Sequence, residues 1–232
     1  MPVITTVLIL LTSYLLGAIP FGLIIVRLKT GKDIRKVESG RTGGTNAGRA
    51  AGFWAGALTA VLDFFKSAIC VLLVRLLAGN QLIPQSPWLE VLAPVLAVLG
   101  HNYSIFLLER AESGRLKFGG GAGGAPTTGG AVGLWVPSVF FMLPVGLIVL
   151  FGVGYASLAT ISVAVTATLV FAYRAWIGAG PWEYIFYGIF TGILLVWALR
   201  PNLKRLSQGT ERLVGLRARY RRSHPPNNAI HS

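Results

Sequence analysis

Three short polar islands interrupt an otherwise apolar chain, and each holds residue types that suit phosphate. The first reads Glu38-Ser39-Gly40-Arg41-Thr42-Gly43-Gly44-Thr45-Asn46-Ala47-Gly48-Arg49. Glycines let successive backbone N–H groups turn toward one anion. Arginine adds a planar fork that matches phosphate oxygens. A helix beginning near Asn46 adds the positive end of its dipole. On this reading Gly40, Gly43, Gly44, Thr45, Asn46 and Arg49 cradle a phosphate. Composition alone leaves a second reading open, a flexible loop carrying arginines for the inner membrane face. The G-x-x-x-x-G-K-[ST] nucleotide loop is absent.

The second island, Gly119 to Gly130, is glycine-rich and has no charge of its own; Arg115 and Lys117 stand just upstream. Its Gly120, Gly121 and Gly123 can bring backbone close to a ligand, or serve as a flexible linker. The third, Arg200-Pro201-Asn202-Leu203-Lys204-Arg205, offers Asn202 and Arg205 to an anion, or forms a basic collar at the headgroups. Inside apolar runs lie Asp63 and Lys66, three residues apart and able to pair on one helical face, and a single His101. An ion pair bracing the first island is the plainer role for Asp63 and Lys66, and packing the plainer role for His101. No second histidine is placed to share a metal, and the one cysteine, Cys70, sits in an apolar run. Neither a histidine followed five residues later by aspartate nor a G-x-S-x-G elbow occurs.

The elements that must position these islands follow from composition. Of 232 residues 53% are hydrophobic and 12% charged, against about 25% charged in soluble domains. Residues 1–26 and 118–173 carry no charge at all, and runs of that length read as membrane spans. The net charge of +13 fits the basic bias of cytoplasmic loops better than nucleic-acid binding. All of the 21 lysines and arginines except Lys66, Arg75 and Arg174 fall in three segments, 27–49, 110–117 and 200–222, which the positive-inside rule places in the cytoplasm. The first run, 1–26, is too long and lacks the basic start of a signal peptide; it reads as a span bent near Pro20 and Gly22. Runs at about 53–78 and 88–108 return the chain to the same face. Three more, at 129–152, 156–175 and 182–199, leave the tail on the wrong side unless the first is split near Pro137 into a half-helix and a longer helix. The split gives an all-α protein of seven membrane segments, amino terminus outside and carboxyl terminus cytoplasmic. Residues 1–220 form one membrane domain, and 221–232 a disordered tail.

The strings Ser39-Gly40-Arg41-Thr42-Gly43-Gly44-Thr45-Asn46…Arg49, Leu62-Asp63-Phe64-Phe65-Lys66, Gly100-His101-Asn102-Tyr103 and Asn202…Arg205…Gly209-Thr210-Glu211 resemble, in order and spacing, the bacterial membrane acyl-phosphate:glycerol-3-phosphate acyltransferases. The resemblance implies seven transmembrane helices and a cytoplasmic active site in the inner membrane. It also implies transfer of an acyl chain from acyl phosphate to the 1-hydroxyl of glycerol 3-phosphate, giving lysophosphatidic acid for phospholipid synthesis. It implies that Ser39, Thr45, Asn46 and Arg49 hold substrate phosphate, that Ser39 and Arg49 serve the reaction, and that Asn202 and Arg205 close the site. No cofactor and no nucleic acid are expected; the partners are the two substrates and membrane lipid, and the oligomeric state is open, a monomer being compatible. Three positions depart from the family strings. Ala122 stands where Gly-Gly-Lys-Gly has lysine, Leu199 where a histidine is expected, and Ser104 where a proline is expected. Lys117, Arg115 or Arg200 are the candidates to replace the missing cation. The alternatives are a divergent member that lacks this activity or takes another phosphorylated acceptor, and a small organic-anion transporter.

Overall fold

The computed structural model describes residues 2–110 and 114–218. Five helical stretches are long and apolar enough to cross a membrane: Val3–Thr30, Phe53–Gly79, Val136–Val153, Ala156–Trp176 and Tyr184–Ser207. Their outer faces are bare hydrocarbon. Val3, Leu28, Phe53, Trp54, Phe140 and Trp176 each leave 74% or more of their surface uncovered, more than water tolerates over a contiguous patch.

The first stretch is broken where proline predicts. α1 (Pro2–Ala18) and α2 (Phe21–Thr30) flank Ile19-Pro20. The break strips α1 carbonyls of helical donors, and buried side chains replace them. Ser104 Oγ donates to the Ala18 carbonyl at 2.6 Å, and Lys66 Nζ to that of Ile19 at 3.2 Å. Backbone groups inside a bilayer need such partners, so Ser104 has a definite task at a position where proline was expected.

After α2 the basic segment leads to a short helix, α3 (Gly44–Ala51), packed on the long α4 (Phe53–Gly79). α5 (Pro87–Asn102) lies against α1 and α4. The third apolar run, expected to stay helical to residue 108, stops at Asn102. Ser104–Arg110 (β1) pairs antiparallel with Leu116–Gly119 (β2), so the all-α expectation is corrected by one hairpin. Ile105 and Phe106 are strand formers, and Ser104 Oγ takes the Phe106 N–H at 3.2 Å, which turns the chain out of the helix.

α6 (Gly124–Leu134) is the half-helix, beginning inside the second island and ending before Pro137. α7 (Val139–Ile148) follows within the Val136–Val153 stretch, then α8 (Ala156–Trp176) and α9 (Tyr184–Ser207). With 16 and 11 residues, α5 and α6 are shorter than the five long stretches. The main core joins Val71, Val91, Met142, Phe171 and Tyr187; Tyr187, fully buried, donates its hydroxyl to the Thr127 carbonyl at 2.8 Å and fastens the half-helix to α9. The residues read as a disordered tail, 221–232, lie outside the described residues.

Helices in lipid associate through close packing at small residues. At Gly129 a Cβ would collide with the Phe64 carbonyl and lie 3.0 Å from its Cα, so α6 touches the α4 backbone. Gly129→Ala is expected to cost about 1–3 kcal/mol of stability by overpacking. Gly79→Ala, with nothing within 4 Å of the new methyl, is expected to be neutral. Thermal unfolding of both purified variants in detergent tests the contrast.

Candidate functional site

The three islands meet. A cavity of about 380 Å³ opens at one end of the bundle, lined by Ser39, Arg41, Gly43 to Asn46 and Arg49 of the first, Ala122 to Ala125 of the second, and Leu199, Asn202 and Arg205 from the end of α9. Asp63 of α4, His101 of α5 and Ser157 and Thr160 of α8 complete the wall, and Glu38 and Thr210 to Arg212 frame it.

Asn46 shapes the first island. Its amide nitrogen donates to the carbonyls of Ile34 (3.3 Å), Val37 (3.0 Å) and Arg41 (2.9 Å), folding the loop around the start of α3. Upstream, Asp33 accepts from the Arg35 backbone N–H at 2.9 Å and from its guanidinium at 2.6 Å. The Arg35 guanidinium holds the Asp33 carboxyl at about 2, below its usual 3.8, against the opposing effect of burial. A depressed acid stabilises the fold fully above its ordinary value and loses that contribution as pH falls toward 2, so the brace is intact at neutral pH. Arg35 also pairs with Glu109 on β1, and Arg212 with Glu38, while Asn202 donates to Glu211 at 3.2 Å. The segment after α9 is thereby drawn across the mouth of the cavity.

The second island is laced down. The Gly121 N–H goes to the His101 carbonyl at 2.8 Å, the Thr42 N–H to the Gly120 carbonyl at 3.2 Å, and Arg41 Nη1 to the Gly121 carbonyl at 3.0 Å. Arg41 also donates to the Ala198 carbonyl of α9. A Cβ at Gly121 would overlap His101 Nε2, so the glycine makes room for the ring.

Charge gathers on this cavity. The amino-terminal ends of α3 (Gly44, Thr45), α6 (Gly124, Ala125) and α8 (Ala156, Ser157) all line it, and each presents unpaired amides and a positive dipole end. Arg41, Arg49, Arg205 and Arg212 add side-chain charge. Burial pushes the guanidinium of Arg41, and that of Arg49, below the ordinary arginine range, which an anion would reverse. Four lining residues also hold a buried atom without a partner: Asn46 Oδ1, Asp63 Oδ2, Ser157 Oγ and Glu211 Oε2. Native proteins rarely leave such atoms unmet, and a hydroxyl-bearing ligand would supply donors. Within the same wall, Asp63 Oδ1 is held by Lys66 Nζ at 2.9 Å and lies 3.4 Å from His101 Nδ1, all three side chains at most 4% exposed. Among the described residues no cluster of three or more histidines, cysteines or carboxylates stands ready for a metal.

Of the residues chosen from sequence, Ser39, Gly43, Gly44, Thr45, Asn46, Arg49, Asp63, His101, Gly123, Asn202 and Arg205 come together on this wall. Gly40, Gly120, Gly121 and Lys66 stand behind it; the Gly121 amide is already engaged by His101, so it cannot cradle an anion. Lys117 sits on exposed β2 opposite Glu109, away from the cavity. Arg115 is exposed beside it, and Arg200 stacks on Trp197, 3.6 Å from the ring centroid, giving its Nε to the Trp197 carbonyl that Pro201 leaves free. None of the three lines the cavity. Arg41, Ser157 and Thr160 were not singled out in advance. Arg41 lay inside the first island; the other two look like ordinary helix residues until α8 is placed.

A basic, amide-rich cavity set at one end of a bundle of membrane-length helices defines a membrane protein that handles phosphate-bearing substrates. Residues 7–209 match the glycerol-3-phosphate acyltransferase family, and the chain belongs to that family. It is 37% identical to a glycerol-3-phosphate acyltransferase of Thermus thermophilus over 91% of this chain and 96% of the relative. Identity is 34% with glycerol-3-phosphate acyltransferase 2 of Moorella thermoacetica, over 90% and 97%. Among solved structures it resembles PlsY, an integral membrane glycerol 3-phosphate acyltransferase, in its glycerol 3-phosphate form: TM-score 0.74, 32% identity, covering 91% of this chain and 96% of that one. The lysophosphatidic acid form gives 0.73 and 30% over the same shares.

Proposed function

We propose that this protein is a seven-segment enzyme of the bacterial inner membrane, its site facing the cytoplasm, that moves an acyl chain from acyl phosphate to the 1-hydroxyl of glycerol 3-phosphate. The observation that carries the reading is the convergence on one cavity of three helix amino termini and of Arg41, Arg49 and Arg205, arginines without an ion pair among the described residues. Two phosphoryl groups brought together at a membrane edge need that much positive charge. A second, apolar groove supports the lipid half of the reaction. It shares Thr45, Gly124, Ala156 and Thr160 with the cavity and continues along Met142, Leu147, Leu150 and Val163 between α6, α7 and α8, a bed for an acyl chain open to lipid. Counting α5 and α6 with the five long stretches supports seven segments, and the basic loops support a cavity on the cytoplasmic side.

The glycerol hydroxyl oxygen bonds to the acyl carbon, the bond from that carbon to the phosphate oxygen breaks, and inorganic phosphate leaves with the electron pair. The hydroxyl proton passes to the leaving phosphate, directly or through Ser39. Acyl phosphate is already activated, so no covalent enzyme intermediate and no cofactor is needed. Holding both reactants in register can lower the barrier by roughly 7–11 kcal/mol. Arg49 and the α3 amides meet charge developing on the carbonyl and the leaving group. Purified protein in lipid, given acyl phosphate and labelled glycerol 3-phosphate, is expected to yield lysophosphatidic acid, and Arg49→Ala to lower kcat/KM by about 10²–10³-fold. Substrate binding without product, or flux across sealed vesicles, overturns the reading.

A further inference from the structure

Among the described residues, Arg41, Arg49 and Arg205 line the cavity without an ion pair, and of these Arg41 alone is held by two separate elements. Its hydrogen bonds go to the carbonyls of Gly121 and Ala198. A guanidinium has five N–H donors, and these bonds use two. The carbonyls are informative by position. Gly121 precedes Ala122 and Ala198 precedes Leu199, and both following residues line the cavity with apolar side chains. The guanidinium therefore lies between two walls that offer no charge of their own. Ala122 and Leu199 are also the two positions where this chain departs from the family strings by losing a lysine and a histidine. Burial works against the charge of Arg41, and its electrostatic neighbours include another cation, Arg205. An ion so placed, with donors to spare and no counter-ion, is costly unless an anion completes the site.

We propose that Arg41 binds a substrate phosphoryl group directly, delivering from the first island the positive charge that Ala122 cannot deliver from the second. This rests on the acyltransferase reading. It distinguishes Arg41 as a substrate-binding residue from Arg41 as a clamp between α9 and the glycine-rich island.

The test is relocation of the charge. Arg41→Gln keeps an amide donor for a carbonyl and removes the cation; kcat/KM is expected to fall at least about 100-fold. Adding Ala122→Lys to that variant brings an ammonium in from the opposite wall, and is expected to recover at least about tenfold of the loss. A clamp would not be restored by a lysine at 122. Arg41→Gln within threefold of the unaltered protein, or a double variant no better than Arg41→Gln with both folded, overturns the proposal. Should Arg41→Gln fail to fold, Arg41→Lys decides: retained charge is expected to keep at least about a tenth of the activity, and a folded but inactive variant overturns it. Inorganic phosphate separates this proposal from the functional reading, since ligand binding to the folded state raises the unfolding temperature. If the unaltered protein makes no lysophosphatidic acid, the acyltransferase reading fails. Arg41 is then judged by phosphate alone, which is expected to raise the unfolding temperature of the unaltered protein and not of Arg41→Gln; equal shifts overturn the proposal.

Discussion

Asp63→Asn is expected to lose about 3–5 kcal/mol of stability, the usual result of leaving one member of a buried pair uncompensated. The stranded charge is Lys66, 3% exposed, 2.9 Å from Asp63 Oδ1 and committed on its other side to the Ile19 carbonyl at the break between α1 and α2. Asparagine offers the ammonium a neutral oxygen and presents a second donor to a place built for an acceptor. Removing both charges should recover part of that cost, since no buried charge is then left unpaired, while the Ile19 carbonyl, without the Lys66 ammonium, keeps a penalty of about 1–3 kcal/mol; Asp63→Asn with Lys66→Met is expected to unfold closer to the unaltered protein than Asp63→Asn alone. Activity should separate from stability here. Asp63 Oδ2 belongs to the cavity wall and has no partner, so it is free to accept a hydrogen bond from a substrate hydroxyl. The double variant is therefore expected to fold well and remain slow, with the larger change in KM for glycerol 3-phosphate. Thermal unfolding and steady-state kinetics on the same preparations check both halves. Full activity in the stable double variant would confine Asp63 to a structural role.

That pair shows what the sequence made legible. An aspartate and a lysine three residues apart in an apolar run can be read as a face-sharing pair on a span, because helical geometry alone brings them together. The breaks at Pro20 and before Pro137 were equally readable, since proline lacks the helical N–H and crowds the preceding turn. Counting basic loops separated the three islands from the rest and placed them together. Long-range choices were not readable. Nothing local says that Arg41 reaches past its own loop to Gly121 and Ala198, that Ser104 caps α1 across 86 positions, or that α8 turns Ser157 inward. Lys117 was the natural substitute for a missing lysine by nearness in the chain, and the hairpin carries it away. The strand itself was hidden because Ile105 to Leu108 is apolar without alternation, a pattern that helix and strand share.

Asn46→Asp carries the second large effect, and it separates a residue that builds the first island from one that works in it. The substitution is nearly isosteric. It exchanges an NH₂ facing three carbonyls, those of Ile34, Val37 and Arg41, for an oxygen that repels them. Ile34 and Val37 keep backbone donors at their carbonyls, from Val37 and Gly40, whereas no other donor is seen at the Arg41 carbonyl among the described residues. An unmet buried carbonyl costs about 1–3 kcal/mol, and the carboxyl is driven to stay protonated so as to restore one bond. When it ionises it sets negative charge at the end of α3, where an anion is to bind. Both consequences act on the loop that carries Arg41 and on the start of α3, which carries Asn46 and Arg49. Asn46→Asp is thus expected to lower the unfolding temperature and to reduce kcat/KM by more than about 10³-fold, exceeding the loss of one donor. Arg49→Ala should reduce kcat/KM and leave stability alone, because no hydrogen bond or ion pair of Arg49 is seen among the described residues. An Asn46→Asp protein as stable as the Arg49→Ala variant would show that the three carbonyl bonds do not hold the island.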